Sequence, residues 1–253
     1  MSALLDLSGM TALVTGASSG LGERFATVLA GAGARVAIAA RRTERLEALQ
    51  ARIEEAGGRA LPVRMDVTDL QSIADAVAHV ETELGPIHVL VNNSGVSAPK
   101  RMTEVTEEDY DFVMDTNLKG AFFVAKEVAA QMIRHGVKGR IINIASVAAH
   151  KYLGLLGVYG MSKSAVVYMT QAMAAEWVRN DINTNAICPG YIETEMNRDH
   201  WETEGGRKLM AMLPRKRVGD VGDLDGALLL LASPQSHFIN GAVINVDDGM
   251  SCL

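Results

Sequence analysis

The stretch LVTGASSGLG, residues 13–22, joins a short apolar run to an amphipathic segment through three spaced glycines. We expect Gly16 to allow a tight turn, Gly20 to let the backbone approach a pyrophosphate, and Gly22 to let a helix pack closely on a sheet. Unpaired N–H groups at the helix N-terminus would bind the phosphates. The spacing of the glycines is G-x-x-x-G-x-G. A glycine-rich turn with no ligand is the alternative interpretation, but the position between a strand and a helix favours a dinucleotide site.

Short apolar runs alternate with amphipathic segments along the rest of the chain. The predicted strands are TALVT (11–15), RVAIAA (35–40), ALPVRM (60–65), HVLVN (88–92), RIINIA (140–145), INTNAIC (182–188) and AVINV (242–246). Helical patterns lie at 21–31, 43–56, 70–84, 107–135, 158–180 and 221–232. Such alternation is typical of βαβ units, so we predict an α/β fold, a doubly wound Rossmann-type parallel sheet of about seven strands with helices on both faces.

The predicted organisation is simple. No linker, charge block or repeat divides the chain, so residues 1–253 are expected to form a single dinucleotide-binding and catalytic domain. The irregular stretch at about 190–218 is expected to be a substrate lid, because connections of that length are usually functional.

Composition narrows the choice of partners and compartment. A net charge of −6 gives no reason to expect a nucleic acid partner, and the longest apolar runs are far too short for a membrane span. The N-terminus lacks a basic leader, so we expect no signal peptide. The two cysteines, Cys188 and Cys252, lie in no metal-binding spacing, which predicts no metal site and suits a reducing cytoplasm.

The end of the second predicted strand indicates which dinucleotide binds. An NAD site needs an acidic residue there for the ribose 2′-hydroxyl, whereas a 2′-phosphate needs positive charge. The sequence has Ala40 in that place, followed by Arg41 and Arg42. A guanidinium pairs well with a phosphate, although the two arginines could also be a solvated pair. We therefore predict NADP(H) as the cofactor, in preference to NAD(H).

Tyr159 and Lys163 are four positions apart in GVYGMSKSA, so in a helix both leave the same face. A free tyrosine titrates near 10, which is too high for efficient proton transfer around pH 7. An ammonium about 4 Å away contributes about 4 kcal/mol at an effective dielectric near 20. We therefore expect Lys163 to lower the pKa of Tyr159 by roughly three units.

The whole chain resembles the short-chain dehydrogenase/reductase family. The motifs that carry the resemblance, in matching order and spacing, are TGASSGLG (15–22), DVT (66–68), NNSG (92–95), Asn117 in TNLKG, Ser146, YGMSK (159–163), PGYIET (189–194) and INGAVINVDDG (239–249).

The resemblance implies a catalytic tetrad. Tyr159 would be the general acid in reduction and the general base in oxidation, with Lys163 lowering its pKa and binding the nicotinamide ribose. Ser146 would bind the substrate carbonyl oxygen, and Asn117 would hold a water that links Lys163 to solvent.

The resemblance also implies the cofactor contacts: Gly16, Ser18, Ser19, Gly20, Leu21, Gly22, Arg41, Arg42, Asp66, Val67, Asn93, Ser94, Gly95, Tyr159, Lys163, Pro189, Gly190, Ile192 and Thr194. Two positions depart from the family pattern, which more often has alanine at Ser94 and glycine at Asp248. The second lies in a terminal segment that relatives use in subunit packing, so it bears on assembly and not on chemistry.

The substrate is expected to be a small carbonyl or alcohol. Candidate pocket residues are Ser97 and, as an apolar wall, Tyr152, Leu153, Met196, Trp201, Leu209 and Met212, each of which could equally be core or lid packing. We predict an NADP(H)-dependent carbonyl reductase or alcohol dehydrogenase. The alternatives are a reductase of 3-oxoacyl thioesters and, in another class, a dinucleotide-binding sensor without turnover, although such relatives usually lose the tyrosine or lysine. The resemblance implies a homotetramer or dimer built on the helices at 107–135 and 158–180.

Overall fold

The computed structural model describes residues 5–195 and 197–252, and its centre is a seven-stranded parallel sheet. The strands are β1 (Thr11–Thr15), β2 (Arg35–Ala40), β3 (Arg59–Arg64), β4 (Val89–Asn92), β5 (Arg140–Ile144), β6 (Asn183–Pro189) and β7 (Val243–Val246). Their order is β3-β2-β1-β4-β5-β6-β7, and every neighbouring pair is parallel. The predicted doubly wound α/β fold is confirmed.

Helices connect the strands and cover both faces of the sheet. They are α1 (Gly20–Gly31), α2 (Thr43–Glu55), α3 (Leu70–Leu84), α4 (Glu107–Met114), α5 (Ala121–His135), α6 (Gly157–Trp177), α7 (Arg198–Glu202), α8 (Glu204–Ala211) and α9 (Asp225–Ala232). Within the described ranges, no helix is long and apolar enough to cross a membrane.

Alternation along each strand divides the core into two layers. In β1, Ala12 and Val14 pack with α1, α2 and α9, whereas Leu13 packs with α3, α5 and α6 on the opposite face. Because both faces are covered, the central strands are buried along their whole length and are mostly apolar, with a few buried polar residues such as Asn143 in β5.

The predicted helix at 107–135 is interrupted in the structure. Between α4 and α5, residues Asp115–Gly120 form a π-helical turn that contains Asn117. A π turn inserts one extra residue into a helix, and such turns occur frequently at functional sites. A pattern of apolar positions cannot reveal it, because the apolar face continues on both sides of the insertion.

We predicted that residues 190–218 would be irregular. This prediction is wrong in part, because the segment contains two short helices, α7 and α8. The Thr203 hydroxyl caps α8 by accepting a hydrogen bond from the Gly206 N–H at 3.0 Å. The two helices have only five and eight residues and are mostly exposed, so they are too short to give a clear signal in the sequence. We use the word lid for residues 190–218.

The chain reverses its winding direction between β1 and β4, which are neighbours in the sheet. In open α/β sheets, ligands bind outside the carboxyl ends of the strands at such a point. The sequence motifs at 15–22, 92–95 and 146 all follow the carboxyl ends of their strands. The fold therefore brings distant motifs to one edge of the sheet.

Candidate active site

The glycine-rich loop after β1 is fixed to the end of β4. The Thr15 hydroxyl accepts hydrogen bonds from the N–H groups of Asn93 and Ser94, at 3.0 and 3.1 Å, and the Asn93 side chain donates to the Thr15 carbonyl at 3.0 Å. A Cβ at Gly22 would overlap the Gly16 carbonyl oxygen and lie 2.6 Å from the Asn93 amide nitrogen. Only glycine therefore allows α1 to begin this close to the loop.

Positive charge lies over this loop. The Nη2 atom of Arg42 donates to the hydroxyls of Ser18 and Ser19, at 2.9 and 3.2 Å, so Arg42, the exposed residue before α2, contacts the loop. Arg41 faces Asp66, where burial raises the pKa of the carboxyl but hydrogen bonds from Thr68 and the charge of Arg41 outweigh it and leave the pKa below its ordinary value. This end of the site suits a phosphate on a ribose.

The four residues of the predicted catalytic tetrad come together at the carboxyl ends of β4 and β5. Tyr159 and Lys163 lie one turn apart near the start of α6, and the Tyr159 phenol forms a hydrogen bond with the Ser146 side chain. The Lys163 Nζ atom lies 5.7 Å from the centre of the Tyr159 ring and donates to the Ile144 carbonyl at 2.8 Å. Ser146 also accepts a hydrogen bond from the Ala148 N–H at 3.1 Å.

Asn117 reaches the same place from the π turn. Its side chain accepts from the Val96 N–H at 2.8 Å and donates to the Val96 carbonyl at 2.9 Å and to the Ser162 hydroxyl at 3.0 Å. A Cβ built on Gly95 would lie 3.4 Å from both the Asn117 Oδ1 atom and the Lys163 Nζ atom. Asn117 and Lys163 therefore converge on Gly95.

Burial controls the proton affinities of the tetrad. It lowers the pKa of Lys163 from 10.5 to about 8, and it raises the pKa of Tyr159 above its ordinary value, an effect that the hydrogen bond with Ser146 opposes. Sequence reasoning expected the Lys163 ammonium to lower the pKa of Tyr159. In this structure the direction is opposite, because the phenol is withdrawn from water and the Lys163 Nζ atom is directed to the Ile144 carbonyl.

A cleft of about 690 Å³ runs from the arginines to the tetrad. Among the predicted site residues that line it are Gly16, Ser18, Ser19, Gly20, Leu21, Arg41, Arg42, Asn93, Ser94, Gly95, Ser146, Tyr159, Lys163, Pro189, Gly190, Ile192 and Thr194. Asp66 and Val67 line an adjoining cavity of about 120 Å³ that shares Arg41, Ser94 and Gly95 with the cleft. Gly22 and Asn117 lie behind the lining.

The glycine-rich loop, the two arginines and the adjoining cavity lined by Asp66 together fit a phosphorylated dinucleotide. A Cβ at Gly16 would lie 2.9 Å from the Asn93 amide nitrogen and 3.0 Å from the Ser94 Cα atom, so a glycine here lets the loop pack closely on the segment after β4.

The substrate end of the cleft differs in part from the expected wall. Leu153 and Ser97 line it, but Tyr152 and Met212 are 75% and 74% exposed, and neither Leu209 nor Trp201 lines it. Trp201 is buried in the lid, with its ring centre 5.5 Å from that of Tyr191. Met196 lies outside the described residues.

The lining residues that sequence reasoning did not name individually include Phe112, Leu156, Tyr191 and Asn197, of which the last two lie within the predicted lid. Phe112 is carried into the cleft by α4, and Tyr191 follows Pro189 and Gly190 directly, so its place in PGYIET was an available signal. No periodicity marks Asn197. Its side chain accepts from the Thr194 N–H at 2.7 Å and donates to the Ile192 carbonyl at 2.9 Å, which shapes the first turn of the lid.

Comparison with known proteins agrees with this geometry. The family described as short chain dehydrogenase matches residues 10–205. Gluconate 5-dehydrogenase of Gluconobacter oxydans is 39% identical over 249 residues, covering 98% of this chain and 97% of that protein. Sorbitol dehydrogenase of Cereibacter sphaeroides is 37% identical, covering 97% and 98%.

A solved structure supports the same assignment. Gluconate 5-dehydrogenase from Burkholderia cenocepacia, in complex with NADP and tartrate, superposes with a TM-score of 0.93 at 35% identity and covers 98% of both chains. Since the family match spans more than half of the sequence and these relatives cover nearly all of it, this chain belongs to the short-chain dehydrogenase family and is an oxidoreductase of alcohol and carbonyl groups.

Proposed function

We propose that this protein is an NADP(H)-dependent oxidoreductase that transfers a hydride between the nicotinamide and a ketone or secondary alcohol, with Tyr159 as the general acid and base. One observation carries the proposal: a single cleft holds two arginines at one end and Ser146, Tyr159 and Lys163 at the other. The two arginines would bind the 2′-phosphate of a phosphorylated dinucleotide, and Ser146, Tyr159 and Lys163 would lie beside its nicotinamide.

The bound dinucleotide would supply the hydride, and the protein would supply the proton. In reduction, the Tyr159 hydroxyl gives its proton to the carbonyl oxygen, and in oxidation the phenolate takes it back. Ser146 donates a hydrogen bond where negative charge grows on that oxygen. Tyr159 and Ser146 already bond to each other, so a carbonyl oxygen between them would meet both hydroxyls.

Lys163 and Asn117 would act behind the tyrosine. Below pH 8 the Lys163 side chain is mostly an ammonium despite its burial, and its Nζ atom, 5.7 Å from the centre of the Tyr159 ring, would bind the nicotinamide ribose. Asn117 lies next to the Lys163 Nζ atom at Gly95 and would hold the water that carries protons to solvent.

The cofactor would lie along the glycine loop, with its 2′-phosphate at Arg41 and Arg42. Two facts support NADP(H): Ala40 stands where an NAD site has an acid, and Arg42 is already directed onto Ser18 and Ser19. The Burkholderia cenocepacia relative with NADP bound shares the fold over 98% of its length.

The substrate would contact both apolar and polar side chains. Val147, Leu153 and Leu156 supply the apolar wall, while Ser97 and Asn197 can bind hydroxyl groups. The relatives named for gluconate and sorbitol make a polyhydroxylated secondary alcohol, or its ketone, the first class to test.

A substrate panel tests the proposal. Polyols, sugar acids, simple ketones and 3-oxoacyl thioesters are assayed with NADPH or NADP and in parallel with NADH or NAD, for the wild type and Tyr159→Phe. We expect turnover that prefers the phosphorylated cofactor and falls at least a hundredfold in Tyr159→Phe. Equal turnover with NADH would overturn the cofactor assignment. Cofactor binding with no turnover of any substrate would favour a sensor.

We also propose that residues 1–253 act as a single catalytic unit and that it assembles as a homotetramer or dimer. The helices α4, α5 and α6 border an apolar groove of about 870 Å³ lined in part by Phe122, Ile133, Tyr168 and Met173. Tyr168 is 74% exposed. Contiguous exposed apolar side chains of this kind are typical of an interface. Light scattering after gel filtration would test it, and a monomeric mass would contradict it.

A further inference from the structure

The C-terminal turn that follows β7 contacts both ends of the lid. At the first end, a Cβ on Gly190 would lie 2.8 Å from the Cα atom of Asp247, so the two backbones are packed directly together. At the other end, the Asp248 carboxylate forms ion pairs with Arg215 and Arg217, at 3.3 and 3.4 Å. The side chain of Asp248 is 28% exposed, whereas those of Arg215 and Arg217 are 71% and 59% exposed, so the double pair lies at the surface and is open to screening by salt.

Asp248 has a left-handed backbone, with φ of +55°. This conformation costs a non-glycine residue about 1 kcal/mol, which explains why glycine is the usual residue here in the family. Lys216, between the two arginines, is also left-handed, with φ of +54°. Asp248 and Lys216 are therefore both left-handed, and they lie on the two sides of the ion pairs.

The turn that carries Asp248 is rigid. The Asp247 carboxylate accepts hydrogen bonds from the Gly249 N–H at 3.1 Å and from the Ser251 N–H at 2.8 Å. Two backbone bonds of 2.8 Å close the neck of the lid, one from the Gly219 N–H to the Tyr191 carbonyl and one from the Glu193 N–H to the Gly219 carbonyl. The carboxylate of Asp248 is therefore held at a fixed place beside this neck.

The arginines connect Asp248 to the substrate end of the cleft. Just before and after them, Leu213 and Val218 pack with Val147, Leu153 and Tyr191 in a small apolar cluster. The last three residues line the cleft, and Val147 directly follows Ser146. Any displacement of the 213–218 segment would therefore loosen the wall against which the substrate rests.

We propose that Asp248 is a lid-positioning residue: its carboxylate holds Arg215 and Arg217 so that the lid stays closed on the bound substrate. The proposal rests on the proposed function only in that the cleft must take a carbonyl substrate. It assigns to Asp248 an effect on substrate affinity that a glycine at this position could not have.

The test compares Asp248→Asn and Asp248→Gly with the wild type. Asparagine tolerates the left-handed backbone without the charge, and glycine also removes the backbone strain. The matched controls are Asp181→Asn and Asp181→Gly, because Asp181 is an exposed aspartate with φ of +57° that follows α6, outside the lid.

Two measurements are made on each variant. The first is the rate of tryptic cleavage after Arg207 and Lys208 in α8, and the second is KM and kcat for the carbonyl substrate at saturating NADPH. We expect both Asp248 variants to be cleaved about threefold to tenfold faster and to show a KM raised by the same factor, with kcat within twofold of the wild type. High salt should bring the wild type toward the variants.

The melting temperature distinguishes a role of Asp248 in positioning the lid from a role in folding. Asp248→Gly should have a melting temperature equal to or above that of the wild type and still have the more open lid, which a merely structural role would not produce. Arg215→Gln combined with Arg217→Gln should reproduce the effect, and adding Asp248→Asn to that pair should change nothing further.

The contrary results are clear. Wild-type cleavage and KM in both Asp248 variants would overturn the proposal, and so would equal changes in the Asp181 variants. If the wild type turns over no carbonyl compound with NADPH, the proposed function fails, whereas the cleavage rates still decide whether Asp248 holds the lid.

Discussion

Replacing Lys163 with methionine should make the pH dependence of stability visibly different from that of the wild type. Lys163 is 4% exposed, and burial lowers its pKa from 10.5 to about 8. Between these two values the unfolded chain binds the proton more tightly than the folded one does, so stability increases as pH rises through this window. Below pH 8 the folded protein carries the full cost of a buried ammonium.

The size of the effect follows from the same two values. At a little over 1 kcal/mol per factor of ten, the buried ammonium costs about 3 kcal/mol at pH 7 and about 1 kcal/mol at pH 9.5. The free energy of unfolding of the wild type should therefore rise by about 2 kcal/mol relative to Lys163→Met over this range. Loss of the hydrogen bond to the Ile144 carbonyl adds an offset that does not depend on pH.

Urea unfolding followed by circular dichroism, at fixed protein concentration and several pH values, measures this difference. Tyr159 and Cys188 are present in both proteins, so their own titrations largely cancel. Lys138→Met is the control, because Lys138 is an exposed residue between α5 and β5. A wild-type minus Lys163→Met difference that stays flat from pH 7 to 9.5 would refute the assignment of a pKa near 8.

Three further outcomes are expected. Arg42→Ala should raise KM for NADPH about tenfold or more while leaving KM for NADH within twofold, because a charge-assisted contact with phosphate is lost; parallel initial rates with both cofactors measure it. Gly22→Ala should lower the free energy of unfolding by about 1–3 kcal/mol or more, because the new methyl group overlaps the Gly16 carbonyl oxygen. Gly31→Ala is the control, since a Cβ there meets open space, and it should be nearly neutral. Urea unfolding measures both. Ser146→Ala should lower kcat about a hundredfold or more with little change in melting temperature, and an unchanged kcat would exclude Ser146 from the chemistry.

The sheet was predictable because its strands have the simplest signal. Buried parallel strands such as β1 and β5 are short and mostly apolar, and each ends within a residue or two of its predicted limit. The four residues of the tetrad were identified through the family resemblance, and their roles stay a prediction, whereas the spacing in the chain by itself places Tyr159 and Lys163 one helical turn apart.

The remaining features depend on packing that no local pattern encodes. The direction of the Lys163 side chain is set by the Ile144 carbonyl, nineteen positions earlier in the chain. Arg42 reaches Ser18 across two different loops. The wall residues were misplaced at Tyr152 and Met212 because an apolar residue on a surface loop gives no sign of which way it faces.

Asn117 also has a structural role, and this role affects how related sequences should be interpreted. Its amide bonds both to the N–H and to the carbonyl of Val96, as a neighbouring strand would, and so it fastens the segment after β4 to the π turn. A related protein that no longer transferred hydride would still need this asparagine, because its hydrogen bonds hold the segment after β4 in place. Retention of Asn117 is therefore poor grounds for inferring an active catalyst, whereas retention of Tyr159 is a much stricter criterion.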